Sequence, residues 1–411
     1  MLRGITTASS GMLTDQRLEQ ALANNLANLQ TPGYKAVAGE SLSFPQQLIV
    51  AMKDTGSSVI GQLGTGAVYQ EGVPYFGQGA IASTGRNLDV AIQDNLQAGT
   101  YASVVGPNNQ PISAQGQITS GLNGRLTMNG QPLAILNGQN QIVPNVYAAV
   151  NPAYKPANST VGLVASDGKP NYDSAGNPSY VFVNAQGKII GSSASSAFAD
   201  LGIRVGNQND MGVHQFFPVG YTAFNGNTGV VLTQDGHFSI NAKHQLVDVN
   251  GNPILPIDSV TGRPIVGGHI NINPNYTGKA LFASNGTALT DAQGQLSFQA
   301  VNATGQVIST GRLGTVGADV TNVSPLGQSE YMVNGTIQSG TALGGLTFYN
   351  SNNPNRASLL PGELEQSNVN QNQTMTEMDQ ILNEYQANQS VLQSEAQALD
   401  LATTDIGKVN I

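Results

Sequence analysis

The sequence predicts an α+β fold, in which mainly β central domains are flanked by N- and C-terminal helices of coiled-coil type that pair with each other. Three observations support this prediction. Residues 366–411 contain no Pro and no Gly before Gly407, although the chain holds 49 Gly and 19 Pro. Residues 1–30 show a second helical periodicity that stops at Thr31-Pro32-Gly33. Between the ends, short alternating apolar segments are separated by turn signals of the hairpin kind.

The C-terminal stretch has the spacing of a coiled-coil seam. Alternating steps of three and four residues give the seam positions Met375, Met378, Leu382, Tyr385, Gln389, Leu392, Ala396, Leu399, Thr403 and Ile406. Gln389 and Thr403 interrupt this stripe, and Ala396 is small. The helix therefore buries too little apolar surface to be stable alone, and it needs a partner.

The N-terminal stretch offers such a partner. The same alternating steps give Ile5, Ala8, Met12, Asp15, Glu19, Leu22, Leu26 and Leu29, again a thin seam with charged positions inside it. Proline disfavours a helical conformation at the residue before it, and Pro-Gly favours a turn, so the helix is expected to end before Gly33. Periodicity alone leaves two arrangements open. The two helices either fold back on the core of their own chain or pack mainly on copies of themselves.

The chain between the helices consists of regions that differ in amino-acid composition and in hydrophobic pattern. The predicted terminal helical domain joins residues 1–35 with 366–411, and residues 36–70 form a predicted linker region. Residues 71–93 with 216–365 form a predicted β-rich domain, whose hairpin signals include Asp235-Gly236, Asn250-Gly251 and Gln293-Gly294. Residues 94–215 differ, with many Asn, Gly, Ser and Pro, and are expected to form a separate β-rich unit with long loops.

Composition excludes several classes of function. Charged residues make up only 10% of the chain, against about a quarter in ordinary globular domains. The net charge of −9 and the absence of a basic cluster argue against binding of nucleic acid. The absence of cysteine excludes disulfides and thiolate metal sites. No apolar run has the length of a membrane span or of a secretory signal peptide.

A search for catalytic groups finds no site. The four histidines, His214, His237, His244 and His269, have spacings that fit no metal-ligand motif. Asp235 and Asp248 lie beside turns, where Asp is favoured because it hydrogen-bonds to the local backbone. The glycine-rich run at residues 59–66 lacks the glycine order of a dinucleotide-binding loop. The sequence therefore predicts no enzyme, no cofactor and no metal.

Both ends of the chain carry recognisable motifs. Residues 23–28 read ANNLAN and residues 31–35 read TPGYK; residues 79–92 read GAIASTGRNLDVAI, and residues 364–369 read LEQSNV. These blocks resemble the signature of the bacterial flagellar basal-body rod and hook protein family. The matching positions are Asn24, Asn25, Asn28, Thr31, Pro32, Gly33, Tyr34, Lys35, Leu88, Asp89, Ala91, Ile92, Leu364, Glu365, Ser367, Asn368 and Val369.

The resemblance also marks an insertion. The family continues directly from Leu-Asp-x-Ala-Ile into a block that looks like residues 216–238 of this chain. Here about 120 residues of different texture intervene. We therefore expect residues 94–215 to be an inserted outer domain.

The resemblance implies a structural subunit of the flagellar rod, which polymerises helically into the axial drive shaft. Its partners would be copies of itself, other rod and hook subunits and the flagellar type III export apparatus, with export to the basal body without a cleaved signal peptide. The implied subunit-interface residues are Ile5, Met12, Leu22, Leu26, Leu29, Met375, Met378, Leu382, Tyr385, Leu392, Leu399 and Ile406. The C-terminal run 405–409 looks more like the tail of rod subunits than that of hook proteins.

Two alternatives stay open at this point. The protein could be the flagellar hook protein, whose middle domains also vary. It could also be a secreted carbohydrate-binding or enzymatic protein that displays residues 94–215 on a rod-like scaffold, although this segment has few aromatic residues and no convergent pair of acids.

Overall fold

A computed structural model describes most of the chain. The described residues are 2–43, 47–53, 56–63, 66–94, 100–106, 109–121, 124–137, 141–155, 163–165, 168–193, 195, 198, 201–206, 211–222, 228–327, 329–339 and 343–407. They belong to two compact units. Residues 1–29, 36–74 and 369–411 form the first unit, and residues 30–35 with 75–368 form the second.

The first unit holds two long helices, α1 (Leu2–Ala27) and α2 (Gln371–Gly407). The prediction of a helix at each end of the chain is confirmed. Asn370 caps the start of α2, because its side-chain oxygen accepts the backbone N–H of Gln373 at 3.2 Å. The helices contact each other in antiparallel order, since Gly4 lies against Glu395 and Gly11 lies against Asn388.

The first unit also holds two pairs of antiparallel strands, which together we call the ribbon. Its strands are β1 (Val37–Ser43), β2 (Gln47–Lys53), β3 (Gly56–Leu63) and β4 (Ala67–Pro74). β1 pairs with β4, as far as Ser43↔Ala67, and β2 pairs with β3, beginning at Gln47↔Leu63; both pairs are antiparallel. The stretch that the sequence assigns to a linker thus contains paired strands. The glycine-rich run that superficially resembles a nucleotide loop begins inside β3.

The second unit is built from short strands. Its first strands are β5 (Ile81–Ser83), β6 (Val90–Gln93), β7 (Tyr101–Val105), β8 (Pro111–Gln115), β9 (Ile118–Ser120), β10 (Leu126–Met128), β11 (Gln131–Pro132), β12 (Tyr147–Val150), β13 (Tyr180–Val183), β14 (Ile189–Gly191) and β15 (Val205–Gly206). They are followed by β16 (Val213–Thr222), β17 (Thr228–Thr233), β18 (Ser239–Ile240), β19 (Leu246–Val247), β20 (Ile257–Asp258), β21 (His269–Ile272) and β22 (Phe298–Val301). The last are β23 (Gly311–Arg312), β24 (Val316–Asp319), β25 (Val323–Gly327), β26 (Glu330–Val333), β27 (Leu346–Phe348), β28 (Ser358–Pro361) and β29 (Glu363–Glu365), with a 3-10 turn, Val320–Asn322, after β24.

A six-stranded sheet in the order β25-β26-β17-β16-β24-β27 organises the β-rich domain. Its core includes Phe217, Val219, Val231, Phe238 and Leu313, all fully buried. Burying a side chain of this size stabilises a fold by about 1.5–3 kcal/mol. Segments that are distant in sequence complete the core, because β6 pairs with β28 and β5 pairs with β29. The predicted mainly β character of the centre is confirmed.

Residues 101–206 have a hydrophobic core of their own. It contains Ala102, Val104, Leu126, Met128, Leu133, Ile135, Ala148, Tyr180, Phe182 and Ile203. Within the described residues, strands β7 to β15 pair only with one another. The limits of the inserted domain stay a prediction, but the described strands of this segment share no sheet with the strands on either side of it.

Two of the three hairpin signals named above form hairpins. Asn250-Gly251 lies between the bridged residues Val247 and Pro253, and Gln293-Gly294 lies between Thr290 and Leu296. The third prediction is wrong, because β18 pairs with β19 and not with β17. Gly236 instead packs its backbone against Val90, whose N–H donates to the Gly236 carbonyl at 3.0 Å. A close tertiary approach, and not a tight turn, requires this glycine.

Candidate functional site

Three distant segments of the family signature meet in the second unit. Lys35 Nζ lies 2.6 Å from Glu365 Oε1 and also donates to the Gly77 carbonyl at 3.1 Å. Glu365 Oε1 accepts the backbone N–H of Gly79 at 2.6 Å. The side chains of Lys35 and Glu365 are only 2% and 4% exposed. A single buried ion pair thus connects the TPGYK block, the segment before β5 and the end of β29.

Backbone contacts extend this junction. The Gly33 N–H donates to the Glu365 carbonyl at 2.8 Å, and the Gln366 N–H donates to the Ala80 carbonyl at 2.8 Å. The Asn368 side chain donates to the carbonyls of Tyr75 and Gly77 at 2.6 and 2.8 Å. Gly33 has a positive φ of 64°, and a Cβ there would lie 2.5 Å from the Gln234 carbonyl oxygen. The signature therefore needs glycine at this position on two counts.

An aromatic cluster lies beside the ion pair. Phe76 contacts His214, Phe216 and Tyr331, with ring centroids 5.4–5.6 Å apart. Burial raises the pKa of Tyr331 well above its ordinary value, and the nearby charges of Tyr34 and Glu365 add to this rise, while a hydrogen bond from the Lys35 backbone opposes it. The junction is therefore a packed structure of buried polar and aromatic side chains.

The second signature block is held by Asp89, which is 1% exposed. Its carboxylate accepts from Thr84 Oγ1 at 2.7 Å and Arg86 Nη1 at 2.8 Å, and His237 Nδ1 lies 3.1 Å away. Arg86 also donates to the Phe238 carbonyl at 2.8 Å. Among the neighbours of Asp89 in the motif, Leu88 packs against the core from its edge. Ala91 and Ile92 are buried in β6, where they pair with Leu360 and Leu359 of β28.

Two buried carboxyl groups have raised pKa values. Burial raises the pKa of Asp235 to about 6, and the nearby Asp89 charge adds to the rise, while the His237 backbone N–H and charge oppose it. Burial together with a hydrogen bond and charge repulsion from Glu330 raises the pKa of Asp248 to about 7. Asp248 Oδ1 accepts the N–H groups of Asn250 and Asn252, as its turn requires. The partner Glu330, at 78 residues from Asn252, could not be found from the sequence.

The helices of the first unit meet in a register that differs from the predicted one. On α2, the buried or half-buried positions are Thr374, Glu377, Met378, Ile381, Tyr385, Asn388, Leu392, Glu395 and Ala402. The predicted seam shares Met378, Tyr385 and Leu392 with this set, but Met375, Leu382 and Leu399 are exposed. The side chain of Ile406 lies outside the described residues. Every second seam position is therefore displaced by one residue.

The face that α1 offers to α2 explains the displacement. Gly4 and Gly11 leave room for the side chains of Glu395 and Asn388, and Asn388 donates to Asp15 Oδ2 at 2.9 Å. Asp15 is 5% exposed. Polar and glycine positions thus lie inside this contact, where an apolar periodicity rule does not look for them. Of the predicted interface positions on α1, Leu22 is buried, and Ile5, Met12, Leu26 and Leu29 are half-buried.

The ANNLAN block makes local contacts within the first unit. The side-chain amide of Asn25 binds the backbone of Val37 with the two hydrogen bonds that a neighbouring strand would make. It donates to the Val37 carbonyl at 2.8 Å and accepts the Val37 N–H at 2.9 Å. Asn28 donates to the carbonyl and side-chain oxygens of Asn24 at 2.9 and 3.0 Å. Asn25 therefore ties the end of α1 to the start of the ribbon.

The remaining candidates of the sequence do not converge. His214 contacts Asp94 and His237 contacts Asp89, each at 3.1 Å. Among the residues that the structure describes, no group of three or more His, Asp and Glu side chains is arranged to hold a metal ion. Neither described helix is long and apolar enough to cross a membrane. The groups that do converge at Lys35, Asp89 and Glu365 connect chain segments to one another.

Two characterised proteins are similar to part of this chain. The chain is 32% identical over 159 residues to the flagellar hook-basal body complex protein FlhO of Bacillus subtilis, covering 35% of this chain and 59% of that protein. It is 30% identical over 133 residues to the flagellar basal-body rod protein FlgG of Borreliella burgdorferi, covering 28% of this chain and 50% of that protein. The chain is a relative of the flagellar rod and hook proteins.

The likeness to flagellar rod and hook proteins that the signature blocks suggest is thus confirmed. The chain spans 59% and 50% of the lengths of these two relatives, so what they do as whole proteins is not transferred by similarity alone. No protein-family model matches the chain.

Proposed function

We propose that the protein is a structural subunit of the bacterial flagellar basal-body rod, which polymerises helically into an axial shaft. Its partners are further copies of itself and other rod and hook subunits, and it reaches the basal body through the flagellar export apparatus. The similarity to a rod protein and to a hook-basal body protein supports the choice of organelle.

The observation that supports polymerisation is the outer face of α2. Met375, Leu382 and Val391 are 49%, 47% and 49% exposed, and Leu401 is 65% exposed. Exposed apolar residues that recur along 37 residues of helix favour a partner surface of similar length. A copy of the same helix pair supplies such a surface, and repeated contacts of this kind build an open helical filament.

The observed helix register indicates which of the predicted interface residues are exposed in the isolated chain. Met375, Leu382 and Leu399 are 49%, 47% and 39% exposed, so their side chains are accessible to a neighbouring subunit. Leu22 is buried within its own unit and contributes to the interface by fixing α1 in place. The other predicted interface residues stay proposals of the same kind.

The buried groups support a structural role. The polar side chains at the junction are used in bonds between chain segments, as the Lys35–Glu365 and Asp89–His237 pairs illustrate. A structural subunit needs such bonds because it carries load through segments that are distant in sequence. No reacting group is required by this role, and we propose none.

Polymer formation by a double variant, Leu382→Ser with Leu399→Ser, tests the proposal. Both side chains are exposed, so the fold of the isolated chain should persist while sedimentation and electron microscopy show a loss of filaments. Val260→Ser removes an exposed apolar side chain in the second unit, 68% exposed against 47% for Leu382 and 39% for Leu399, and serves as the control. Filaments formed by the double variant as readily as by the control would contradict the proposed interface.

A further inference from the structure

The strands of residues 101–206 repeat the plan of residues 213–319. The first segment has a sheet in the order β15-β7-β8, and the second has β24-β16-β17, with all pairs antiparallel. In each case an isolated bridge joins the first strand to a later residue, Val104 to Leu133 and Val219 to Ile254. The sequence of the insertion does not show this similarity at first sight.

The central hairpins of the two segments have the same register. β12 pairs with β13 from Tyr147↔Val183 to Val150↔Tyr180, and β21 pairs with β22 from His269↔Val301 to Ile272↔Phe298. An Asn-Pro-x-Tyr sequence follows the first strand of each hairpin, at residues 151–154 and 273–276. The two hairpins are therefore aligned by structure and sequence together.

The two Asn-Pro-x-Tyr loops make matching hydrogen bonds. Asn151 donates its side-chain N–H to the Pro178 carbonyl at 2.8 Å and Asn273 donates to the Leu296 carbonyl at 2.9 Å. Behind each loop, an aspartate accepts a backbone N–H: Asp173 from Lys155 at 3.0 Å, and Asp291 from Thr277 at 3.1 Å. The loops are thus fixed to the rest of their segments in the same way.

A buried serine gives the sharpest correspondence. Ser179 Oγ accepts the N–H of the residue 8 positions earlier, Asn171, and donates to the carbonyl of the residue 16 positions earlier, Leu163. Ser297 Oγ does the same with Leu289 and Leu281, again 8 and 16 positions earlier. Turn chemistry explains recurring Asp, Asn and Gly in any hairpin. It does not explain a serine that connects three chain segments with the same two spacings.

The sequences agree once the structure has aligned them. Residues 163–189 read LVASDGKPNYDSAGNPSYVFVNAQGKI, and residues 281–307 read LFASNGTALTDAQGQLSFQAVNATGQV. The two stretches align without a gap and share the serine, the aspartate and the turn glycines. Gly168 and Gly286 each place their carbonyl against a later backbone N–H, that of Ile203 and that of Leu313.

We infer that residues 101–206 are a second copy of the module formed by residues 213–319, inserted in front of the original. The two copies are completed differently. In the original, β17 pairs with β26, and Asp89 ahead of β6 bridges His237. In the inserted copy, the described strands show no counterpart of β26 on β8. The pair of β9 with β10 in the inserted copy matches the pair of β18 with β19 in the original.

The geometry also points to the surface through which the copies dock. Asp319, at the end of β24, accepts from the N–H and Oγ of Ser113 in β8 at 2.6 and 3.0 Å. Asn322 donates to the Pro111 carbonyl at 3.2 Å in the same strand. Asp319 and Asn322 thus bind to the outer edge of β8. In the original copy, the corresponding strand β17 pairs with β26 at this edge. Asp319 is therefore the positioning residue that holds the inserted copy on the original.

A matched pair of variants tests the duplication. Ser179→Ala and Ser297→Ala remove the same two bonds in each copy, so each should raise amide exchange in its own central hairpin about tenfold and leave the other hairpin unchanged. A chimera that replaces residues 165–179 by 283–297 should also unfold cooperatively near the wild-type temperature, whereas a replacement by 284–298, shifted by one position, should not. The inference would be overturned if the two serine variants changed amide exchange in their hairpins by unequal amounts. It would also be overturned if the chimera unfolded no more cooperatively than the shifted control.

The docking surface has its own test. We expect the wild type to unfold in a single transition. In Asp319→Ala with Asn322→Ala, both copies should stay folded, but residues 101–206 should unfold in a transition separate from that of the rest of the chain. Thr321→Ala, which leaves the bonds to Ser113 and Pro111 in place, is the control. One unchanged transition in the double variant would show that these side chains do not hold the copies together. Both tests read folding, so they are independent of the proposed role in the rod.

Discussion

Lys35 and Glu365 are 330 residues apart in the chain, yet their side chains form an ion pair of 2.6 Å that is almost completely buried. Both residues belong to the blocks that resemble the rod and hook family. The pair explains why these blocks occur together: one carries the cation, the other carries the anion, and the Gly77 to Gly79 segment supplies the remaining hydrogen bonds.

This pair predicts strong coupling between the two positions. Lys35→Met or Glu365→Gln alone should lower the free energy of unfolding of the second unit by about 3–5 kcal/mol, because each leaves a buried charge without its partner. The double variant Lys35→Met with Glu365→Gln should cost less than the sum of the two. Urea unfolding measures all three, with the exposed Lys279→Met as control. Additive effects would mean that the two side chains act separately.

The buried acids predict that stability falls as pH rises. Asp248 titrates at about 7 in the folded chain against an ordinary value of 3.8, so the folded state holds a proton that the unfolded state loses between about pH 4 and 7. The free energy of unfolding should therefore decrease over this range and stay reduced above it. Asp235, at about 6, adds in the same direction.

Asp248→Asn tests this assignment, because an amide keeps the turn bonds and cannot lose a proton. The variant should gain about 1 kcal/mol or more over the wild type at pH 8 and little at pH 4. Asp173→Asn is the contrasting control. Backbone hydrogen bonds, first that of Asn177, lower the pKa of Asp173 to about 2, so its contribution is present above pH 4 and is lost on acidification. Equal effects of Asp248→Asn at both pH values would contradict the buried-pair assignment.

The contact between the helices predicts a second dependence. A Cβ at Gly11 would lie 2.8 Å from the Asn388 side-chain nitrogen, so Gly11→Leu should separate α1 from α2 at a cost of about 1–3 kcal/mol. Amide exchange in α2 should increase near Asn388 in the dilute chain. Ser9→Leu, on an exposed position of α1, is the control.

The same exchange measurement separates the isolated chain from the polymer. In the isolated chain, Met375, Leu382 and Val391 of α2 are exposed, so the helix should exchange faster in the dilute chain than in filaments. Strong and equal protection in both states would count against a role of α2 in assembly.

Several features were predictable because they depend on residues near one another in sequence. The two terminal helices follow from the absence of Pro in residues 371–407 and from the stop at Pro32, and the hairpins at Gly251 and Gly294 follow from local turn chemistry. The family signature could be identified because its residues are fixed in type as well as in spacing.

Other features depend on contacts between distant residues. The register of α2 follows from Gly4, Gly11 and Asp15 on another helix, which an apolar stripe does not report. Gly236 reads as a turn signal but is required by the approach of Val90. The ribbon at residues 37–74 has polar, half-exposed outer strands and thus lacks a clear alternation. The proposed duplication is concealed because the core positions differ, as Phe182 and Ala300 illustrate.

The central claim is that this chain is a rod subunit. Electron microscopy of basal bodies from a strain that lacks the gene tests it most directly, with the intact gene restored on a plasmid as control. A rod subunit is needed before the hook can be assembled, so the deletion should stop assembly before any hook forms. A strain that still builds a complete rod and lacks only the curved hook would show that the protein is the hook subunit and contradict the account.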